Sequence, residues 1–138
     1  EFLKLKLPGT KLVIGGGPLR AQLEKKYPEA RFLGVYKVEK EFVDQLSLCD
    51  VFIFPSRTET FGLVVLEALA CGIPVAAHDV MGPKDSITNG KDGYLGEDLR
   101  EAALKCLELS HADCRAKALQ YSWEHSADVF IKTLYFIR

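Results

Sequence analysis

"PSRTETFGLVVLEALACGIPVAA", residues 55–77, decides the fold of this chain. It opens as a polar loop, continues as the apolar run "GLVVLEALAC" and ends, past Gly72, in the short stretch "PVAAH". The run has helical length, glycine is a common helix stop, and small and branched apolar residues after it fit a strand. Immediately upstream, "DVFIFPS" (50–56) is a continuous apolar run ended by Pro55, which predicts a strand buried on both faces. Strand, loop, helix and strand in this order make a βαβ unit, whose two strands are parallel. Two carboxylates, Glu59 and Glu67, stand in this otherwise apolar segment, and their presence needs a reason.

The alternation extends in both directions. "TKLVIGGGP" reads as a buried strand and a glycine turn, with Pro18 placed for the first turn of the helix "PLRAQLEKKY" (18–27). "RFLGV" is a second strand, and "EKEFVDQLSLC" has Phe42, Val43, Leu46 and Leu48 at near-helical spacing. Downstream, "GPKDSITNGKDGYL" predicts a short helix, an Asn-Gly turn and an extended piece around Tyr94. After residue 97 the pattern is purely helical: "EDLREAALKCLELS", "HADCRAKALQYS" and "WEHSADVFIKTLYFIR". Trp123, Phe130, Tyr135 and Phe136 are spaced as core or domain-interface residues of that tail. The whole predicts one α/β domain, a parallel sheet with helices on both faces and a helical C-terminal tail.

Composition narrows the partners. The chain has 138 residues, 48% of them hydrophobic, and a formal net charge of −1. Such a balance argues against a nucleic-acid footprint, which would need a basic excess. No apolar run approaches the roughly 18 residues of a membrane span, and "EFLKLKLPGT" lacks the regions of a signal peptide. Cys49, Cys71, Cys106 and Cys114 form no CxxC pair and no metal-ligand spacing with the histidines, so buried reduced thiols and a cytoplasmic setting are expected. "EFLKLKLPGT" reads as the tail of a helix whose preceding strand is not in the sequence, as in a fragment of a longer protein.

Open α/β sheets bind ligands outside the carboxyl ends of their strands. Those ends are "GGGP" (15–18, with Gly17 facing the cleft), "GVYK" (34–37), "PSRTETFG" (55–62) and "HDVMGP" (78–83), all rich in glycine and polar groups. The helix opening at Gly62 offers the free N–H groups of Gly62, Leu63 and Val64 to an anion such as phosphate. Glu59 lies just before that helix and Glu67 inside it, and eight helical positions rise roughly 12 Å. An extended diphosphate sugar could set its phosphates at the helix start, with a hydroxyl-bearing ring near each acid. The plainer alternative makes Glu59 an acid favoured by the helix dipole and Glu67 a solvated position. His78 is open between a ligand contact and a plain strand-end histidine, Lys84 between a phosphate contact and solvation, and Arg57, in the loop before Glu59, is a candidate donor contact.

The stretch 55–77 closely resembles the E-x7-E segment of family-4 (group 1) glycosyltransferases with the GT-B fold, Glu59 and Glu67 occupying its acidic positions. "VIGGGPLRAQLEKKYP", "RFLGVYK", "LCDVFIFPS", "MGPKDSITNGKDGYL" and "YSWEHSADVFI" agree in order, so the resemblance covers nearly the whole chain. It implies a Rossmann-like, nucleotide-sugar-binding C-terminal half of a retaining enzyme. By this resemblance Glu67 holds the ribose hydroxyls, Glu59 takes the catalytic position against the donor sugar, and the Phe61–Val64 backbone faces the distal phosphate and sugar. Tyr36 and Lys37 line the base pocket. The resemblance implies no metal or other cofactor, because helix dipole and basic side chains carry the charge of the leaving diphosphate. It implies a glycan or glycolipid acceptor held by a separate N-terminal domain, no nucleic acid, and peripheral contact of the intact enzyme with the inner face of a membrane.

The pattern also departs from the family. The family's preceding strand carries a Gly-Arg pair and a following Lys that bind the diphosphate. Residues 1–138 are therefore expected to be a single donor domain, without that first strand or the acceptor domain, and inactive alone. Gly16 stands where the family often has an acid, and "MGPKD" resembles the bacterial branch that uses GDP-mannose. A dinucleotide fingerprint fails at Arg20, and no P-loop occurs. The rivals are an epimerase or phosphorylase on the same fold, a receiver-type module (opposed by "IGGGP" and by the serine after "FIFP") and an interaction domain using its C-terminal helices.

Overall fold

The computed structural model describes residues 1–37 and 39–134. Five short strands, β1 (Leu12–Ile14), β2 (Arg31–Gly34), β3 (Phe52–Phe54), β4 (Val75–Ala77) and β5 (Gly93–Leu95), alternate with helices. Those helices are α1 (Arg20–Lys26), α2 (Glu39–Leu46), α3 (Leu63–Ala70) and α4 (Pro83–Ser86). The helical tail follows as α5 (Leu99–Cys106), α6 (His111–Ala118) and α7 (Trp123–Thr133). Every strand pairing is parallel, as the βαβ pattern requires. The strands divide between a two-stranded sheet, β1-β2, and a three-stranded sheet in the order β3-β4-β5.

That division corrects one expectation. Residues 52–54 of "DVFIFPS" are only half-buried, because among the described residues β3 is bonded to β4 alone. The strand buried on both faces is β4, where Val75, Ala76 and Ala77 are all inaccessible. Its side chains alternate with the pleat. Val75 and Ala77 join Leu46 of α2, Val65 and Leu69 of α3 and Cys114 of α6, while Ala76 meets Ala102, Ala103 and Cys106 of α5 on the other face. Helices thus cover both faces of the three-stranded sheet.

Local chemistry sets the helices. Asp98 accepts hydrogen bonds from the N–H groups of Arg100 and Glu101 at the start of α5, whose Leu99, Ala102, Ala103 and Cys106 repeat at i, i+3, i+4 and i+7 and are buried. Ser110 and Ser122 cap α6 and α7 in the same way. Arg115 of α6 donates to the carbonyl of Ala70 at the end of α3 (2.6 Å), and Tyr121, just past α6, reaches Phe61 at the start of α3. These contacts set α6 antiparallel to α3.

The termini differ from expectation. The N-terminal segment forms one 3₁₀ turn, Phe2–Lys4, where the sequence pattern predicts the tail of a helix, and Arg100 fastens it by donating to the carbonyl of Lys6 (2.7 Å). Helix α1 starts at Arg20, with Pro18 inside the preceding turn rather than the helix. Of the two roles expected for Trp123 and Phe130, exposure of 88% and 64% excludes the core of this chain and leaves the domain-interface alternative, and α7 buries none of its side chains. Tyr135 and Phe136 lie outside the described residues.

Candidate functional site

Helix α3 begins differently from α5, α6 and α7. Its N-cap is Gly62, in the left-handed region at φ 78° and ψ 60°, and no side chain caps it. The N–H groups of Gly62, Leu63 and Val64 find no acceptor in the hydrogen bonds among the described residues. Free donors at a helix start, beside a residue without a Cβ, make an anion-accepting surface. Leu63 is exposed, Val64 half-buried and Gly62 buried.

Glu59 is turned towards this helix start. Its Oε1 accepts hydrogen bonds from the N–H groups of Thr60 (2.8 Å) and Phe61 (3.4 Å), so one carboxylate oxygen organises the loop that carries it. A Cβ built on Gly62 would lie 3.4 Å from the Glu59 Cγ. Glu67 is exposed on α3 and has no side-chain hydrogen bond among the described residues. The two acids therefore differ: Glu59 is partly engaged by its own backbone, and Glu67 faces solvent.

Gly82 closes the other side of the loop. A Cβ there would stand 3.2 Å from the Glu59 Cγ and 3.3 Å from both the nitrogen and the carbonyl oxygen of Phe61. Its own N–H donates to Asp85 Oδ2 (3.2 Å). The ring of Phe61 meets the ring of Tyr121 edge to face, with centroids 6.3 Å apart. Glu59, Phe61, Gly62 and Gly82 thus form one knot. In the sequence Gly82 stands in the strand end "HDVMGP" and in the family pattern, and Tyr121 only within the stretch "YSWEHSADVFI". A glycine before a proline was the available signal for the first, and nothing local marked the second.

The remaining candidates fall elsewhere. Arg57 Nη1 donates to Glu97 Oε2 (3.0 Å), and Nη2 lies 3.8 Å from Glu1 Oε1, so its guanidinium is already shared by two carboxylates. Arg57 holds the Glu97 carboxyl below its ordinary range, by hydrogen bond first and by charge second. His78 is 0% exposed, its Nδ1 3.2 Å from the carbonyl of Gly96 and its Nε2 3.1 Å from Glu1 Oε1. Its two nitrogens thus lie against protein groups rather than the cleft.

Gly17, Tyr36 and Lys37 lie in the loops that follow β1 and β2. A Cβ on Gly16 would lie 3.1 Å from Val35 Cγ2, which joins the glycine turn to the end of β2, and Gly17 has open space beside it. A mainly apolar cavity of 330 Å³, lined by Val13, Ile14, Leu19, Leu23 and Phe32, opens beneath that turn. Tyr36 is half-buried and Lys37 exposed. No hydrogen bond or ion pair among the described residues links this neighbourhood to the Glu59 knot.

A parallel three-stranded sheet covered on both faces, with an uncapped helix start between two acids, defines an α/β domain with open backbone donors at the end of its sheet. Residues 2–111 match the model of the family Glycosyl transferases group 1, and the chain belongs to that family. It is 42% identical over 84 residues to the GDP-mannose-dependent alpha-mannosyltransferase of Mycobacterium tuberculosis, covering 61% of this chain and 22% of that protein. It is 32% identical over 147 aligned positions to the D-inositol 3-phosphate glycosyltransferase of Mycolicibacterium smegmatis, covering 91% and 34%. The chain thus spans only a minor part of the length of either relative.

Among solved structures, Anabaena HepE in complex with UDP and glucose superposes with a TM-score of 0.70 at 19% identity, covering 96% of this chain and 43% of that one. The pneumococcal O-GlcNAc transferase GtfA in complex with UDP and GlcNAc gives 0.65 at 22% identity, covering 90% and 28%. At such identities the likeness establishes the fold, that of the GT-B glycosyltransferases.

Proposed function

We propose that this chain is the nucleotide-sugar-binding domain of a retaining glycosyltransferase, and that the intact protein transfers a hexose from the nucleotide to a sugar or lipid-linked acceptor. The observation that carries the reading is the start of α3: free N–H groups at Gly62, Leu63 and Val64, with Glu59 before them and Glu67 a turn inside. The diphosphate lies at those N–H groups, where the positive end of the helix offsets the charge that grows as the glycosidic bond breaks. Glu67, exposed and uncommitted, accepts from the two ribose hydroxyls. Glu59 keeps Oε1 on its own loop and presents Oε2 to the donor sugar.

Charge stabilisation in this reading comes from the helix start and basic side chains, with no metal or cofactor. Tyr36, Lys37 and Gly17 line the base and phosphate side. Arg57 reaches the donor only by exchanging a carboxylate partner, so we assign it the loop first. The mannosyltransferase among the relatives favours mannose from GDP-mannose as donor. The acceptor, a glycan or glycolipid, is held by a further domain N-terminal to this one, on a cytoplasmic protein that contacts the inner face of a membrane.

An NMR titration of the chain with GDP, UDP and their hexose conjugates tests the reading. Shifts of the Gly62, Leu63, Val64 and Glu67 amides that appear with GDP and not UDP are expected. Amides that stay in place with every nucleotide at millimolar concentration would overturn the binding role.

A further inference from the structure

Tyr121 lies far along the chain from the acid loop, between α6 and α7, yet it touches Phe61 of the Glu59 knot and the helix that holds Gly82. Its ring packs edge to face on Phe61, and its hydroxyl donates to the carbonyl of Asp85 in α4 (3.2 Å). Asp85 in turn holds the N–H of Gly82 through its carboxylate, and Gly82 abuts Glu59 and Phe61. Tyr121 therefore closes a ring of contacts: Phe61, Gly82, Asp85 and back to its own side chain.

The residue that closes this ring is itself firmly placed. The N–H of Tyr121 donates to the carbonyl of Ala118, and Ala118 and Cys114 of α6 are buried with Val65 and Leu69 of α3. Lys117, one turn earlier, sets its ammonium 5.8 Å from the centroid of the Tyr121 ring. Helix α6 is thus anchored along α3, and Tyr121 carries that anchorage to the loop at the start of α3. A loop on the surface is ordinarily the least constrained part of a domain. Here the aromatic contact fixes Phe61, the residue that aims the N–H of Gly62 and that Glu59 holds by its backbone.

We propose that Tyr121 is a positioning residue for the donor site: it clamps Phe61 and α4 together and so sets the Glu59 carboxylate and the N–H groups at the start of α3. Its functional consequence rests on the donor-site reading above; its geometry rests on the contacts alone. Among the described residues no hydrogen bond joins Tyr121 to Glu59 or to the α3 donors, and its influence runs through Phe61 and Asp85.

The test compares the parent chain with Tyr121→Phe and Tyr121→Leu in two measurements. Without ligand, amide hydrogen exchange is followed at Thr60, Phe61 and Gly82 and, as internal reference, at Cys71 and Ile73 beyond the far end of α3. Loss of an aromatic pair predicts exchange faster by about two- to tenfold at the first three amides in Tyr121→Leu, with the reference amides unchanged. Tyr121→Phe, which keeps the ring and loses the hydroxyl, restores Thr60 and Phe61 and leaves only Gly82 faster. Exchange raised uniformly across the chain, or unchanged at Thr60 and Phe61, would overturn the clamp.

The second measurement is the GDP and UDP titration of the same three proteins. Whichever nucleotide moves the Gly62–Val64 amides of the parent should bind Tyr121→Leu more weakly by about the same two- to tenfold, with Tyr121→Phe close to the parent. Equal affinity in all three would overturn the positioning role. A parent that responds to neither nucleotide would sink the donor reading, while the exchange measurement still decides the clamp.

Discussion

Replacing Gly82 by alanine should damage the acid loop from behind. Gly82 sits at φ 90° and ψ −76°, the region of the rare γ-turn that L-residues enter only under strain. Holding alanine there costs about 1–3 kcal/mol. Space compounds the strain, because the added methyl would stand 3.2 Å from Glu59 Cγ and 3.3 Å from two backbone atoms of Phe61. Backbone atoms cannot rotate aside as a side-chain end can, so the loop itself must move. Gly96→Ala is the control: nothing lies within 4 Å of its Cβ position, and its φ is ordinary. For a domain of this size each kcal/mol lowers Tm by roughly 3–5 °C, so Gly82→Ala should melt roughly 3–15 °C lower. Thermal unfolding followed by circular dichroism reads the effect, and an amide spectrum shows whether Glu59, Phe61 and Gly62 shift. A Gly82→Ala protein melting with the parent, or one whose shifts spare the 59–62 loop, would refute the reasoning.

Other outcomes follow from the same contacts. Asp98→Ala removes the acceptor for the N–H groups of Arg100 and Glu101 and should cost about 1 kcal/mol, seen in urea unfolding as a lower midpoint at unchanged slope. Burial raises the Cys106 and Cys114 thiols to about 12 and about 11. An alkylating reagent near neutral pH should therefore spare both until the chain is unfolded, as mass spectrometry of the labelled peptides will show. Glu97 has its folded pKa depressed by Arg57. The stability it adds is present above the unfolded carboxylate pKa and fades as pH falls through the folded one; Arg57→Gln should flatten that part of the acid-unfolding curve. Glu67→Gln should leave Tm unchanged, because the side chain is exposed, yet weaken nucleoside diphosphate binding in calorimetry.

Much of this architecture was legible because it rests on local rules. Within the run 62–71, Leu63–Ala70 is helical, Gly72 and Pro74 separate it from a strand, and "PVAA" is apolar on both faces because both faces of β4 are covered. "DVFIF" is just as apolar, yet β3 is only half-buried. Apolar composition reports what a strand can bury; how much it buries depends on its neighbours, and β3 has one. Helix α7 shows the same limit, since the spacing of Trp123 and Phe130 marks a face without saying what meets it. At the site, the acids and Gly62 carried a motif and could be read. Tyr121 acts across contacts far apart in sequence, and no periodicity within its own segment encodes them.

The state of Glu59 explains why a loop so rich in polar groups needs an acid at this one position. Helix α3 starts without a side-chain cap, and a serine or aspartate at Gly62 would have satisfied its first N–H groups. Such a cap would also occupy the donors that an anionic ligand needs. Glu59 moves the capping upstream: Oε1 takes the N–H groups of Thr60 and Phe61 and leaves those of Gly62, Leu63 and Val64 open. The carboxylate thus gives the chain an ordered entry to the helix while sparing the donors at its start. Only glycine at 62 and 82 leaves this side chain its place, since a Cβ at either position would stand 3.4 Å or 3.2 Å from the Glu59 Cγ. In the proposed reading, binding at α3 follows from where the cap was placed as much as from the helix dipole, and the seven residues between Glu59 and Glu67 put an acid on each side of those open donors.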